Sequence, residues 1–483
     1  MEVNNRLIAS DVVQRFEEIR FKSSISWQIR AGEQWAIVGP NGAGKTLLID
    51  TLVGKYALKS GKIICLGSQE EEIKQSEYVK IVSFRDIYSL TETRDAFYQQ
   101  RWNAGIMQDE SPASSLLPKN SRTEWGNYLI GHFGIENLLE KDIRLLSSGE
   151  LRKFIIVKAL LSQPKVLILD NPYIGLDTAS REILNSLLQK IVDAGDTQVV
   201  LVLADPSDIP PMITHILPIK NRNLEIPACR TSFLSDFSLQ EQLFPKTYPK
   251  AERFRLAINP PSKTDEILRM EDIHVAYGHQ TILDGFNWKI MKGEKWALLG
   301  ANGSGKSTLL SLISGDNPQA YANKIHLFGK KRGTGESIWD IKKRIGYISP
   351  EMHLHYQKNI PCIDIVGSGF FDTVGLYIRC NEDQRRVALE WMKKFGIAHL
   401  KGVSFLQVSS GEQRLVLLCR VFVKNPDLLI LDEPFHGLDA TNKEKVKNII
   451  ENFCTQEKSL IFVTHYDDEI PKVVNKRIVL SRR

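Results

Sequence analysis

The chain has 483 residues, 42% of them hydrophobic and 25% charged, with a formal net charge of +6. That balance is ordinary for a soluble globular protein, and the charge is too mild to argue for nucleic-acid binding. No apolar run approaches the ~18 to 20 residues a membrane span needs, so any spans would have to come from another polypeptide. The opening Met-Glu-Val-Asn-Asn-Arg lacks the basic-then-apolar pattern of a signal peptide. Cys65, Cys229, Cys362, Cys380, Cys419 and Cys454 form no CxxC or metal-type cluster, as expected in a reduced cytosolic compartment.

In chain order, the first strong signal is the strand-like run Gln34 to Val38. It leads into Gly39-Pro40-Asn41-Gly42-Ala43-Gly44-Lys45-Thr46. A helix is expected from Lys45 to Val53, with Gly54 placed as a C-cap glycine. Ser147-Ser148-Gly149-Glu150 follows, then the continuous apolar strands Val166 to Asp170 and Gln198 to Leu203. Runs of that kind suit a parallel sheet covered on both faces. Residues 221 to 262 carry Pro227, Pro245, Pro249, Pro260 and Pro261 with scattered charge. They read as a linker with little regular structure.

After the linker the same text returns. Lys295 to Leu299 runs into Gly300-Ala301-Asn302-Gly303-Ser304-Gly305-Lys306-Ser307-Thr308, with a helix expected from Lys306 to Ser314 and Gly315 as its cap. Ser409-Ser410-Gly411-Glu412, Leu428 to Asp432 and Ser459 to Val463 complete the second pass. The two lysines lie 261 positions apart, and the same spacing pairs Trp27 with Trp288 and Phe16 with Tyr277. The prediction is a duplicated α/β protein, with units at 1–220 and 263–483 joined by the linker.

Gly-x4-Gly-Lys-[Ser/Thr] is a phosphate cradle. Its glycines let backbone N–H groups approach phosphate oxygens, and the helix N-terminus adds positive potential. The lysine, Lys45 or Lys306, reaches the terminal phosphates, and the Thr46 or Ser307 hydroxyl ligates Mg²⁺. ATP and Mg²⁺ are therefore the expected ligands. They are held by Gly39, Asn41, Gly42, Gly44, Lys45 and Thr46 in one half. Gly300, Asn302, Gly303, Gly305, Lys306, Ser307 and Thr308 hold them in the other. Phe16 and Tyr277 are candidates for stacking on adenine, a contact worth roughly 1 to 3 kcal/mol. A packing role on the first strand is the alternative for Phe16.

Ser147 and Ser409 each lie 23 residues before a strand-ending aspartate, Asp170 or Asp432. Ser-x-x-Glu is also an ordinary capping box. Its repetition between a P-loop and an apolar strand ending in aspartate, in fixed order, resembles the ATP-binding cassette (ABC) ATPases. In that family the signature (here Ser147, Gly149, Glu150 and Ser409, Gly411, Glu412) opens a helix that faces the γ-phosphate bound by the opposite domain. The resemblance implies tandem P-loop NTPase domains, each a mainly parallel sheet flanked by helices with a small β subdomain and a helical subdomain. The stretch from Gly315 to Tyr347 is similar to the tandem cassette proteins of the ModF type. Within it, Lys330-Lys331-Arg332 reads as a solvated turn of the β subdomain.

On this resemblance the second half has a full catalytic set. Asp432 holds Mg²⁺ through water, Glu433 polarises the attacking water as general base, and His465 contacts the γ-phosphate. Gly437-Leu438-Asp439 matches the loop that communicates between sites. In the first half Asp170 is kept for the metal, but Asn171 replaces the glutamate and Ala204 the histidine. Hydrolysis is expected at the site built from Lys306, Asp432, Glu433 and His465 with the Ser147 signature. The site built from Lys45, Thr46 and Asp170 with the Ser409 signature is expected to bind ATP and turn over slowly or not at all.

The glutamine that ABC ATPases carry before the helical subdomain is replaced by Pro350, with Glu351 beside it as a substitute for the Mg²⁺ and water contact. The first half reads Val82-Ser83-Phe84-Arg85 there. His353 and His355 read as surface or packing residues. About 100 residues separate each P-loop from its signature, room for the subdomain through which transport ATPases grip membrane subunits. The expected role is therefore a cytoplasmic ATPase coupled to a separate integral membrane permease, of molybdate or ion-import type by resemblance, and peripheral on the inner membrane face when bound to it. The alternatives are a soluble ATPase acting on ribosomes or nucleic acid, and a tandem sugar-importer ATPase.

Overall fold

The structure is a computed structural model. It describes residues 6–67, 69–83, 112–118, 121, 123–141, 146, 148–174, 176, 178–245, 265–277, 280–301, 303–350, 352, 356 and 358–481. The chain forms two compact units, one ending at Pro245 and one beginning at Asp265 among the described residues.

The first unit contains β1 (Arg6–Gln14), β2 (Ile25–Arg30), β3 (Trp35–Val38), α1 (Lys45–Leu52), β4 (Leu58–Leu66), α2 (Gln75–Tyr78), β5 (Val79–Ser83), α3 (Glu124–Phe133), α4 (Ser148–Leu160), β6 (Val166–Asp170), α5 (Thr178–Ala194), β7 (Gln198–Leu203), β8 (His215–Lys220), β9 (Asn223–Leu224), β10 (Ala228–Cys229), α6 (Arg230–Ser235) and α7 (Phe237–Leu243). Strands β5-β6-β7-β3-β8 run parallel, with β10 antiparallel on the β8 edge and β9 paired to β8. A separate antiparallel sheet has the order β2-β1-β4.

The second unit contains β11 (Glu266–Tyr277), β12 (Gln280–Met291), β13 (Lys295–Leu299), α8 (Lys306–Ser314), β14 (Lys324–Leu327), β15 (Lys330–Lys331), α9 (Ile338–Lys342), β16 (Ile345–Ile348), α10 (Cys362–Gly367), α11 (Glu382–Lys394), α12 (Ser410–Phe422), β17 (Leu428–Asp432), α13 (Ala440–Phe453), β18 (Ser459–Val463) and β19 (Lys476–Val479). Its parallel sheet has the order β16-β17-β18-β13-β19, and its antiparallel sheet the order β12-β11-β14-β15.

The strand text explains this layering. All five residues of β6 and of β17 are buried, and successive side chains alternate between faces. Val166 and Ile168 join the core under α1 and the antiparallel sheet, while Leu167 and Leu169 join the core shared with α3, α4 and α5. Leu428 and Ile430, against Leu429 and Leu431, divide in the same way. Each such side chain contributes roughly 1.5 to 3 kcal/mol by leaving water. The tryptophan repeat is also a packing repeat. Trp27 meets Trp35 edge to face at 5.2 Å, and Trp288 meets Trp296 at 5.7 Å.

Two expectations need correction. The proline-interrupted stretch from 221 is not irregular throughout, because β9, β10, α6 and α7 occupy much of its first half. Phe233, Leu243 and Phe244 insert into the first unit's core. Pro227 lies between β9 and β10 and Pro245 beyond α7, so neither breaks an element, and Asp236 caps α7 by accepting from Leu239 N at 2.9 Å. Residues 246–262 of the expected linker lie outside the described residues. Arg332 is also not solvated. Lys330 and Lys331 are exposed on β15, but the Arg332 side chain is buried in an ion pair with Glu336 at 3.1 Å and lies over the Tyr321 ring. Among the described residues no helix is long and apolar enough to cross a membrane.

Candidate active sites

Both P-loops fold alike. Each follows an inner strand of its parallel sheet, β3 or β13, and each ends at a left-handed glycine that starts a helix. Gly44 has φ 105° before α1, and Gly305 has φ 94° before α8. Only glycine takes such values without strain. The loop also needs glycine where it turns, since a Cβ on Gly39 would lie 2.2 Å from Ile219 O and one on Gly300 2.5 Å from Leu480 O. Gly42 and Gly303 are left-handed as well, and Gly303 faces open space.

The lysines are buried and held identically. Lys45 Nζ donates to Gly39 O at 2.6 Å and Pro40 O at 2.9 Å. Lys306 Nζ donates to Gly300 O at 2.6 Å and Ala301 O at 2.9 Å. Each ammonium is thus curled into its own loop, at the carboxyl ends of the parallel strands, where ligands of open α/β sheets bind. Thr46 Oγ1 lies 3.3 Å from Asp170 Oδ2. A hydroxyl beside a carboxylate is a hard oxygen donor set that fits Mg²⁺, and the glycine-lined turn with its ammonium fits a polyphosphate. Ser307 opens α8 as Thr46 opens α1, and Asp432 ends β17 as Asp170 ends β6. Thr308 is largely buried.

Beyond the aspartates the backbones coincide. Asp170 pairs with Val202 across β6 and β7, and Asp432 pairs with Val463 across β17 and β18. Asn171 N donates to Val202 O at 3.0 Å, and Glu433 N to Val463 O at 2.9 Å. Ala204 and His465 each stand two residues beyond that valine, so the register puts them in corresponding places.

The side chains there differ. Glu433 Oε1 lies 2.9 Å from His465 Nε2, and Glu433 Oε2 lies 3.9 Å from His436 Nδ1. Burial alone would raise the Glu433 carboxyl. His465, His436 and Lys306 outweigh it and hold the group below the usual carboxylate range. Glu433 is therefore ionised at neutral pH and able to accept a proton. In the first unit Asn171 Nδ2 donates to Asp170 Oδ1 at 2.8 Å, and an amide offers no basic oxygen.

The second signature is a true capping box. Ser409 is the N-cap of α12, and its hydroxyl accepts from Glu412 N at 3.4 Å. Ser409 N donates back to Glu412 Oε2 at 2.8 Å. Gly411 lies buried in the first turn. In the first unit Gly149 lies in the first turn of α4, and Glu150 pairs with Lys141 at 3.0 Å. Ser147 lies outside the described residues, as do Asn302, Glu351, His353, His355, Phe84 and Arg85. Phe16 is 58% exposed, which removes the core reading. Tyr277 ends β11 with its hydroxyl accepting from Asn317 Nδ2 at 2.8 Å.

Two residues of the site escaped the motif reading. Arg414, on α12, is buried and donates to four backbone carbonyls: Ser349 at 2.9 Å, Asp432 at 3.1 Å, Glu433 at 2.7 Å and Pro434 at 3.2 Å. Burial pulls its guanidinium down to about 10, with Asp432 and Glu433 acting the other way, so it stays charged at neutral pH. Arg152 on α4 holds the carbonyls of Pro172 and Ile174 in the same manner. The second missed residue is His436. Its signal was present in the repeat, where Glu433-Pro434-Phe435-His436 aligns with Asn171-Pro172-Tyr173-Ile174.

The ABC transporter family model matches residues 23–174 and 283–436. The chain is 34% identical to the ABC transporter ATP-binding protein ModF of Escherichia coli (strain K12), over 93% of this chain and 91% of that one. It is 29% identical to an uncharacterized ABC transporter ATP-binding protein of Schizosaccharomyces pombe, over 96% and 95%. Among solved structures, the archaeal ribosome recycling factor aABCE1, in complex with ribosomal stalk protein aP1, shares the fold. It has a TM-score of 0.55 at 18% identity, covering 97% of this chain and 87% of that one. With two cassettes matched along one chain, and a relative alike over nearly its whole length, this protein belongs to the ABC transporter family of ATP-binding proteins.

Proposed function

We propose that this tandem ABC ATPase hydrolyses ATP chiefly with the second unit's motifs, while the first unit binds ATP and turns it over slowly or not at all. The observation that carries this reading is the set of groups around Glu433. A half-buried carboxylate, ionised and flanked by His465, stands beyond Asp432, while the corresponding places hold Asn171 and Ala204. Lys306 and the α8 N-terminus would take the terminal phosphates of ATP, and Ser307 and Asp432 would hold Mg²⁺, whose charge would make the terminal phosphorus more electrophilic. Glu433 accepts the proton of the attacking water, and His465 orients toward the terminal phosphate. Phe16 and Tyr277 stack on adenine.

The coupled process in this proposal is transport by a separate membrane permease. Its support is the likeness to ModF along nearly the full chain and the helical subdomain that each cassette has room for. The test is to trap the Glu433→Gln chain with ATP, purify it from detergent-solubilised cells and identify what accompanies it. A stoichiometric integral membrane protein is the expected result. Ribosomes, nucleic acid or the chain by itself would overturn the transporter assignment in favour of a soluble mechanical ATPase. Neither result bears on which unit hydrolyses ATP, which is read from the steady-state rate.

A further inference from the structure

The three positions at which the units differ most in chemistry meet at one carboxylate. Glu433, His436 and His465 are replaced in the first unit by Asn171, Ile174 and Ala204. These residues lie on two separate stretches, the turn after β17 and the turn after β18, and Glu433 contacts the second through His465 and the Val463 carbonyl. The backbone beneath them is retained. Asn171 N and Glu433 N bond the equivalent valine carbonyls, and Arg152 and Arg414 each clasp the carbonyls of the turn. The first unit has therefore kept the scaffold and lost all three titratable groups of one cluster.

Within the cluster the two histidines face different oxygens of Glu433. His465 is at 2.9 Å from Oε1 and His436 at 3.9 Å from Oε2. Both imidazoles are largely covered, with side chains 7% and 15% exposed. His436 is also fixed to the turn by its backbone, its N donating to Glu433 O at 3.2 Å. His465 cannot serve the carboxylate and a terminal phosphate with the same Nε2 atom. When it turns to the phosphate, Glu433 loses its nearer partner and, in a left-handed backbone at φ 46°, has little else to fix its side chain. His436 Nδ1 and Oε2 must close by about 0.7 Å or more to reach hydrogen-bond range, which a turn of the imidazole together with a shift of the freed carboxylate supplies.

We infer that His436 is a positioning residue for the general base, holding the second carboxylate oxygen of Glu433 while His465 engages the nucleotide. This rests on the proposed assignment of hydrolysis to the second unit. Isoleucine, as at position 174, cannot do this, and asparagine can, because its amide N–H reaches nearly the place of Nδ1.

The test compares His436→Ile, His436→Asn and Glu433→Gln by steady-state kinetics, equilibrium binding of a fluorescent ATP analogue and thermal unfolding. His436→Ile is expected to lower kcat about 10- to 100-fold, the scale of a misplaced catalytic group, with KM and analogue affinity unchanged. His436→Asn should restore most of the rate. In a Glu433→Gln background His436→Ile should lower the residual rate no further, because the group it positions is gone. A kcat within twofold of the parent in His436→Ile overturns the inference. So does an equal loss in both backgrounds, or a loss that follows the unfolding temperature and is not rescued by asparagine. An active Glu433→Gln protein would instead overturn the assignment of hydrolysis on which the inference stands.

Discussion

The two units share one scaffold and differ in the side chains set on it. Their P-loops agree to the hydrogen bond, with each lysine on the same two carbonyls at 2.6 and 2.9 Å, and the strand register around the aspartates is the same. What differs is a handful of side chains beyond that register. Phosphate binding is written into backbone geometry and glycine placement, which tolerate little change. Hydrolysis hangs on single groups that can be lost without disturbing the fold. The backbone at the glutamate position shows this well. Asn171 and Glu433 are both left-handed, at φ 54° and 46°. Asparagine is at home in that region, whereas a glutamate there is strained, a cost of roughly 1 to 3 kcal/mol that functional sites carry. The first unit carries the residue that suits this turn, and the second carries the strained one.

The comparison breaks most sharply on the rate. Glu433→Gln is expected to lower steady-state ATP hydrolysis by about 10²- to 10⁴-fold, the range for loss of a positioned base, while Asn171→Gln leaves it within twofold. Equal losses from the two substitutions would show that the units do not divide the work. Next in size is the arginine clasp. Arg414→Leu leaves four buried carbonyls without their donor, and each unmet acceptor costs about 1 to 3 kcal/mol. A loss of at least about 3 kcal/mol is expected, read as a lowered unfolding temperature together with loss of activity. Arg152→Leu should destabilise the first unit by the same route and spare hydrolysis. If Arg414→Leu unfolds normally, the turn after β17 is held by its own backbone.

Much of this was legible in the sequence, for physical reasons that can be named. The P-loop helices begin at Lys45 and Lys306 as read, because the glycine before each lysine leaves no other start. The apolar strands are as read because five buried residues in a row have few other places to go. Asn171 and Ala204 were found by aligning the chain with itself. The folded piece from β9 to α7 was missed because its prolines were taken as breaks along its length, when Pro227 lies between β9 and β10 and Pro245 beyond α7. Arg414 was missed because a long side chain bonding backbone carbonyls leaves no motif. His436 was missed because a histidine four residues beyond the aspartate has meaning only once its distance to Glu433 is known.

A smaller effect sharpens the backbone argument. Glu433→Gln and Glu433→Asn both remove the carboxylate beside His465, so both should lose most of the activity. They differ in their comfort at φ 46°. Glu433→Asn is expected to be more stable than Glu433→Gln by about 1 kcal/mol, the lower end of the left-handed cost for an ordinary residue, seen as a higher urea midpoint. Equal midpoints would mean that the left-handed turn is carried entirely by Arg414 and the Val463 carbonyl, with the residue's own preference irrelevant.

The smallest expected effect concerns the folded piece after β8, which has no counterpart among the described residues of the second unit. Its Cys229 is exposed, unlike Cys65, Cys362, Cys419 and Cys454, which are buried. Burial pushes Cys65, Cys362 and Cys454 up to about 12. Cys229 is brought down to about 7 by hydrogen bonds from Ser232 and Thr231, whose hydroxyls lie 2.9 and 3.3 Å from its sulfur. A lowered value means thiolate at lower pH, and the thiolate is the nucleophile. Iodoacetamide should therefore modify Cys229 first, with a rate that rises through a midpoint near 7 and levels off above it. Ser232→Ala should move that midpoint upward, and ATP hydrolysis should be the same before and after modification because Cys229 pairs with His215 at the start of β8, beside the start of β3, whereas the P-loop follows the end of β3. A midpoint unmoved in Ser232→Ala would mean that the hydroxyls do not hold the thiolate. A fall in hydrolysis on modification would mean that this piece, absent from the second unit, communicates with the catalytic cluster after all.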